Sequence, residues 1–184
     1  TLDHLAEGIA RDGVITDEAA RRAEEELLPL GEAAKSLTLL CVAHAHIDMN
    51  WMWGFHETAA VTIDTFRTML DLMEKYPGFT FAQSQASVYR IVEQYAPWLL
   101  EGIRQRVREG RWEVTASTWT EPDKNMPSGE SLSRHILNTK RYLCGLLPVS
   151  PDALNIDFEP DTFGHSANVP EICAAGGVKY YYHC

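Results

Sequence analysis

Apolar residues along this chain switch between two spacings, and the switches mark out its elements. ITDEAARRAEEELLP opens on Thr16 and Asp17, which suit a helix N-terminus, and stops at Pro29; Ala20, Ala23 and Leu27 give it a thin apolar stripe. It reads as a peripheral helix or a linker, so residues 1–36 form a helical lead-in and residues 37–184 the main domain. SLTLLCVAH is short, apolar and continuous, the pattern of a fully buried strand, with Cys41 as a buried thiol within it. Between His56 and Tyr76, Ile63, Phe66, Leu70 and Met73 recur at helical spacing, and YPG ends that helix. FTFAQSQA predicts a second strand, and SVYRIVEQYAPWLLEGIRQRVREG a helical segment broken at Pro97. RWEVTAS predicts a third strand, and SGESLSRHILNTKRYLCGL a helix entered from Pro127 and Ser128. ALNIDF predicts a fourth strand, SANVPEICAAGG a short helix with glycines at its end, and VKYYYHC a fifth strand.

Strands alternating with helices imply a parallel sheet of right-handed β/α units, and in such sheets function collects at the carboxyl ends of the strands. Each polar cluster of this sequence falls at such an end. His46 and Asp48 follow the first strand, Gln83 and Gln85 the second, Trp119, Glu121 and Asp123 the third, and Asp157, Glu159 and Asp161 the fourth. Scattered surface charge would not track strand ends in this way.

Composition narrows the partners. The 184 residues carry a formal charge of -10, with no block of Lys and Arg, which argues against binding nucleic acid. No apolar run approaches the roughly 20 residues of a membrane helix. The cysteines, Cys41, Cys144, Cys173 and Cys184, form no C-x-x-C pair, so a zinc ribbon or thioredoxin motif is not supported. A reducing compartment is the simpler reading, and a cytoplasmic location is expected.

In VAHAHIDMNWMWGF, His44, His46 and Asp48 occupy every second residue, followed by Trp51, Trp53 and Phe55. On extended backbone, residues two apart face the same way, roughly 6 to 7 Å apart. Imidazole and carboxylate can close that gap onto one cation at about 2.0 to 2.2 Å, so H-x-D is a sound metal clip. The plainer alternative is a solvated loop with one core histidine. Asp161, from another strand end, is placed to supply a third ligand. Trp53 and Phe55 suit a plug over the core, whereas Trp51 can equally present a face to a sugar ring. Asp, Glu, Gln and Trp at strand ends, with few cations, suit a neutral polyhydroxylated ligand better than a phosphate. TWTEPDKNMPSGES reads as an exposed loop whose Ser128 caps the next helix and whose Trp119, Glu121 and Asp123 line a cleft. His165, near a helix start in FEPDTFGHSANVP, caps or braces its loop.

With HAHIDMNWMW, FAQSQAS, GRWEVTASTWTEPDKNMPSGESLSRHIL and PDTFGHSANVPEICAAGGVKYYYH in order over roughly Leu37 to Cys184, the chain resembles the N-terminal part of the catalytic domain of the family 38 glycoside hydrolases, the class II α-mannosidases. The resemblance implies an α/β fold: an incomplete β/α barrel of the glycoside hydrolase and deacetylase kind, with parallel strands and flanking helices. It implies zinc, or another divalent cation, at the strand ends, with His46, Asp48 and Asp161 as ligands and His44 behind them. Asp161 would be the catalytic nucleophile, and Trp51, Phe163 and Asp123 would contact the sugar. The substrate would be a mannose-containing oligosaccharide, and the full-length parent has room to be a homo-oligomer. The family's further histidine ligand and its acid/base aspartate fall later in the chain than Cys184, so the isolated stretch is expected to be inactive and its barrel open. Two other readings stand beside a retaining α-mannosidase: a metal-dependent polysaccharide deacetylase and an inactive sugar-binding fragment.

Overall fold

The computed structural model describes residues 2–184 and divides into two compact units, Thr1–Cys41 and Val42–Cys184. The first unit is helical: α1 (Leu2–Asp12), α2 (Asp17–Leu27), a 3-10 turn (Leu28–Leu30) and α3 (Gly31–Lys35). Thr16 caps α2, its hydroxyl accepting the Ala19 N–H at 3.2 Å, and Pro29 falls in the 3-10 turn that follows. Ala23 is the buried residue of the predicted stripe, whereas Leu27 is exposed.

The second unit alternates strands and helices. Its elements are β1 (Ala43–His44), α4 (Phe55–Lys75), β2 (Phe81–Gln83), α5 (Ala86–Tyr95), α6 (Leu100–Arg108), β3 (Trp112–Val114), α7 (Gly129–Leu146), β4 (Ile156–Glu159), α8 (Val169–Ala175) and β5 (Tyr180–His183). β1, β2 and β3 pair in parallel in that order, and β4 pairs in parallel with β5. Between β3 and β4 the backbone ladder is interrupted and side chains take over: Ser117 Oγ donates to Asp157 Oδ1 at 2.7 Å, and Thr118 Oγ1 to Glu159 Oε1 at 3.1 Å.

The core lies where α4, α5 and α6 cover the three-stranded sheet. Phe66 packs its ring on Tyr89 and Trp112, with centroids 5.4 and 5.1 Å away, and Phe81 packs on Trp112 at 4.8 Å. The polar ends of these rings are satisfied internally, since Trp112 Nε1 donates to Tyr89 Oη, which donates to the Gln83 carbonyl. Arg111 closes the opposite end of the sheet by donating to the carbonyls of Met73, Tyr76 and Pro77 at the end of α4.

The first strand is much shorter than its apolar run predicts. Register pairs Ala43 with Phe81 and His44 with Ala82, so residues before Ala43 would have to pair with the turn that follows α4. With no ladder partner there, residues 37–42 are not a strand; Leu39 and Leu40 are each 86% exposed and Cys41 is exposed rather than buried. Trp53 and Phe55 also depart from the expected plug. Both are exposed, and Trp53 Nε1 donates to Thr58 Oγ1 at the start of α4.

Candidate active site

Two glutamines extend the sheet beyond its backbone pairing and set the direction of the first candidate ligands. Gln83 Nε2 donates to the Ala45 carbonyl at 3.1 Å and Gln85 Nε2 to the Ile47 carbonyl at 2.9 Å. These amides hold alternate carbonyls of the stretch after β1 as a neighbouring strand would, so His46 and Asp48 emerge as an i, i+2 pair. Ile47, between them, is buried and anchors the segment in the core. Gln85 itself has φ +64° and is almost fully buried, a conformation held by hydrogen bonds from both ends of its amide.

Glu121, on the loop after β3, joins this segment to the loop after β4. Its N–H donates to Gln85 Oε1 at 3.1 Å. Its Oε1 accepts the Asp161 N–H at 2.7 Å and lies 3.2 Å from the Thr162 hydroxyl. Its Oε2 is buried and stands 3.0 Å from His46 Nε2, close enough for charge pairing but not aligned as a hydrogen bond. Burial works against ionising Glu121, yet His46 and the Asp161 N–H hold its carboxyl below the ordinary value; the same carboxylate raises the His46 imidazole. Gly164 lets the PDTFGHS loop run close, since φ is +108° there and a Cβ would collide with the Asn125 amide.

One ligating atom each from His46, Asp48 and Asp161 all lie within 4.8 Å of one another. They open into a cavity of about 160 Å³ whose lining also includes Glu121, Asp123 and Phe163. No lysine or arginine lines it, so four carboxylates face one imidazole. Two carboxylates and an imidazole at this separation fit a divalent cation of the zinc type, which takes oxygen and nitrogen donors at about 2.0 to 2.2 Å. His44 stays outside the trio. Its Nε2 pairs with Ser84 Oγ at 3.0 Å and its ring packs 4.5 Å from Phe158; burial first, and His46 second, push its pKa down to about 4. Phe163 is on the cavity rim and 78% exposed, whereas Trp51, 69% exposed, stacks edge-on against Trp53 and is not part of the lining.

Directly beneath this opening lies a second charged cluster that the sequence pattern does not announce. Lys124 is 2% exposed and its Nζ pairs with Asp157 Oδ2 and, at 3.1 Å, with Glu159 Oε1. Burial opposes the charge on Lys124, but the two carboxylates outweigh it and raise its pKa. Burial opposes the charge on Asp157, yet Glu159, Lys124 and Ser117 together hold it low, while burial and Asp157 push Glu159 up. Lys124 sits within a run of loop-forming residues that reads as exposed. The available signal was Asp157 and Glu159 on one face of a buried strand, which requires a cation nearby. His165, expected to cap or brace its loop, places Nδ1 2.6 Å from Tyr181 Oη.

Parallel strands with a carboxylate-rich opening at their carboxyl ends define a class of enzyme-like α/β chain, and sequence likeness gives it a family. Residues 36–183 match the profile described as the glycosyl hydrolases family 38 N-terminal domain, and the chain belongs to that family. It is 33% identical over 159 residues to alpha-mannosidase G of Dictyostelium discoideum, covering 86% of this chain and 14% of that protein. It is 34% identical over 144 residues to human alpha-mannosidase 2C1, covering 78% of this chain and again 14% of the relative. The crystal structure of an alpha-mannosidase from Enterococcus faecalis V583 superimposes with a TM-score of 0.68 at 23% identity, over 77% of this chain and 16% of that one, a likeness of fold. The chain thus spans about one seventh of the length of these curated relatives.

Proposed function

We propose that this chain is the N-terminal part of the catalytic domain of a retaining α-mannosidase, its five parallel strands forming the first part of a β/α barrel. The observation that carries the reading is the gathering of His46, Asp48 and Asp161 within 4.8 Å, from two different strand ends, in a family 38 chain. His46, Asp48 and Asp161 would hold zinc, which when bound supplies a Lewis acid for the hydroxyls of a mannosyl ring. Asp161 is the nucleophile: its carboxylate forms a bond to the anomeric carbon as the bond to the leaving oxygen breaks, and that oxygen takes a proton from an acid partner. Water then attacks the same carbon, its proton returns to the acid partner, and Asp161 leaves, so mannose departs with its configuration retained. Glu121 fixes the Asp161 backbone and the His46 ring, and the Asp123 carboxylate, on the same rim, accepts sugar hydroxyls. Phe163 offers the sugar an apolar face, and Trp51, which stands outside the cavity lining in the loop after β1, would reach the sugar only by turning from Trp53.

The test is to incubate the full-length protein with an aryl α-mannoside and, separately, with an N-acetylated oligosaccharide, following the first by proton NMR. The expected result is α-mannose as the first-formed product, lost after chelation and restored by zinc. Release of acetate from the second substrate without cleavage of the first would make the protein a deacetylase and overturn the reading.

A further inference from the structure

We propose that a second cavity beside the trio is a sugar subsite for the residue on the leaving-group side of the scissile bond; this rests on the α-mannosidase reading. The cavity, about 260 Å³, lies between the start of α4, one face of α5 and the loop after β3. Met49 lines both cavities, and Trp119 and Thr120 run directly into Glu121. An enzyme that removes terminal mannose meets no sugar beyond the mannosyl ring itself on the non-reducing side, so an adjoining recess serves the leaving group.

The lining has the chemistry of a neutral sugar site. Ser87 Oγ is buried and has no hydrogen-bond partner among the described residues, although its backbone N–H is satisfied by the Trp119 carbonyl at 2.8 Å. Buried hydroxyls are rarely left unmatched, and Ser87 is one of the residues that line the recess. Phe55 and Trp119 present aromatic surface suited to the C–H face of a pyranose, and Asn50, Gln94 and Thr120 add donors and acceptors around it. Arg90 is the cavity's cationic side chain, but its guanidinium is engaged by Glu93 at 2.5 Å, and Glu93 also accepts from Tyr142 Oη. That pairing neutralises the site and disfavours a phosphate or carboxylate ligand. The volume falls below the roughly 300–1,000 Å³ of cavities that take drug-sized ligands, which suits one ring.

The test compares two substrates that differ in what enters this recess. α-Mannosyl fluoride has a one-atom leaving group, whereas an α-mannobiose, of the linkage the unaltered protein cleaves fastest, places a whole sugar there. In the full-length protein, Ser87→Ala should lower kcat/KM for mannobiose by about tenfold, the worth of one hydrogen bond to a buried group. Gln94→Trp, which narrows the mouth from an exposed position, should lower it further. Both variants should keep the unaltered rate on mannosyl fluoride. Unchanged mannobiose cleavage, or an equal loss on both substrates, would overturn the subsite alone. If the unaltered protein cleaves neither substrate, the mannosidase reading fails and the subsite falls with it.

Discussion

Asp157 and Glu159 lie buried on β4, and Asp161, two residues beyond Glu159, lines an open cavity. The buried pair holds its own cation, Lys124, and is further matched by Ser117, Thr118 and Thr162. The open trio has no such partner among its lining residues, and only imidazole nitrogen to set against its carboxylates. β4 and the loop that follows it thus carry acidic groups with opposite balances. Beneath, the charge is neutralised inside the protein, so its removal should damage the fold; above, it lies open, and on the proposed reading a metal ion answers it, so its removal should damage chemistry.

Four changes should separate the two groups. In the full-length protein, Asp161→Asn should reduce turnover at least about a thousandfold while leaving the melting temperature of the metal-free protein unchanged or higher, since it removes an uncompensated charge. Lys124→Met should do the reverse to stability, costing about 3–5 kcal/mol by urea unfolding because Asp157 is left buried and unpaired. The double change Lys124→Met with Asp157→Leu should lose less, which distinguishes the unpaired charge from lost packing. Glu121→Gln keeps an acceptor for the Asp161 N–H but no longer presents a carboxylate to His46. It should weaken zinc binding by about 10–100-fold in a chelator competition with only a small change in unfolding midpoint.

The smallest effect is on pH. His135 on α7 has a buried Nδ1 with no hydrogen-bond partner among the described residues; burial first, and Lys124 second, hold its pKa below the ordinary value while Asp157 opposes them. The unfolded chain takes up a proton near about 6.5 and the folded chain does not. Stability contributed by the neutral ring is therefore full above that pH and declines as pH falls towards the lowered value. His135→Gln should flatten this decline in unfolding curves taken between pH 7.5 and 5.5.

Much of the frame is legible in the residues because it rests on local periodicity. α4 and α7 follow their apolar spacing, Pro97 breaks the helical segment between Ala86 and Arg108, and Ser128 caps α7 with its hydroxyl 3.2 Å from Ser131 N. The length of β1 is not legible, because an apolar run becomes a strand only as far as a neighbour pairs with it, and β2 offers three residues. The contact of Glu121 with His46 and Asp161 is equally hidden, since it depends on how three loops converge and not on any spacing within one. Lys124 shows the limit most clearly. A lysine among Pro, Asp, Asn and Gly has the composition of surface loop, and only the buried acids of another strand draw it inside.

A retaining mechanism here depends on Asp161, and covalent trapping tests that role most directly. The full-length protein should be treated with a fluorinated mannosyl fluoride, digested and sequenced by mass spectrometry. One mannosyl ester should form, on Asp161, at the rate at which activity is lost, and it should be absent from the Asp161→Asn variant. Labelling of Asp48, Glu121, Asp157 or Glu159 instead, or product of inverted configuration with no label at all, would contradict it.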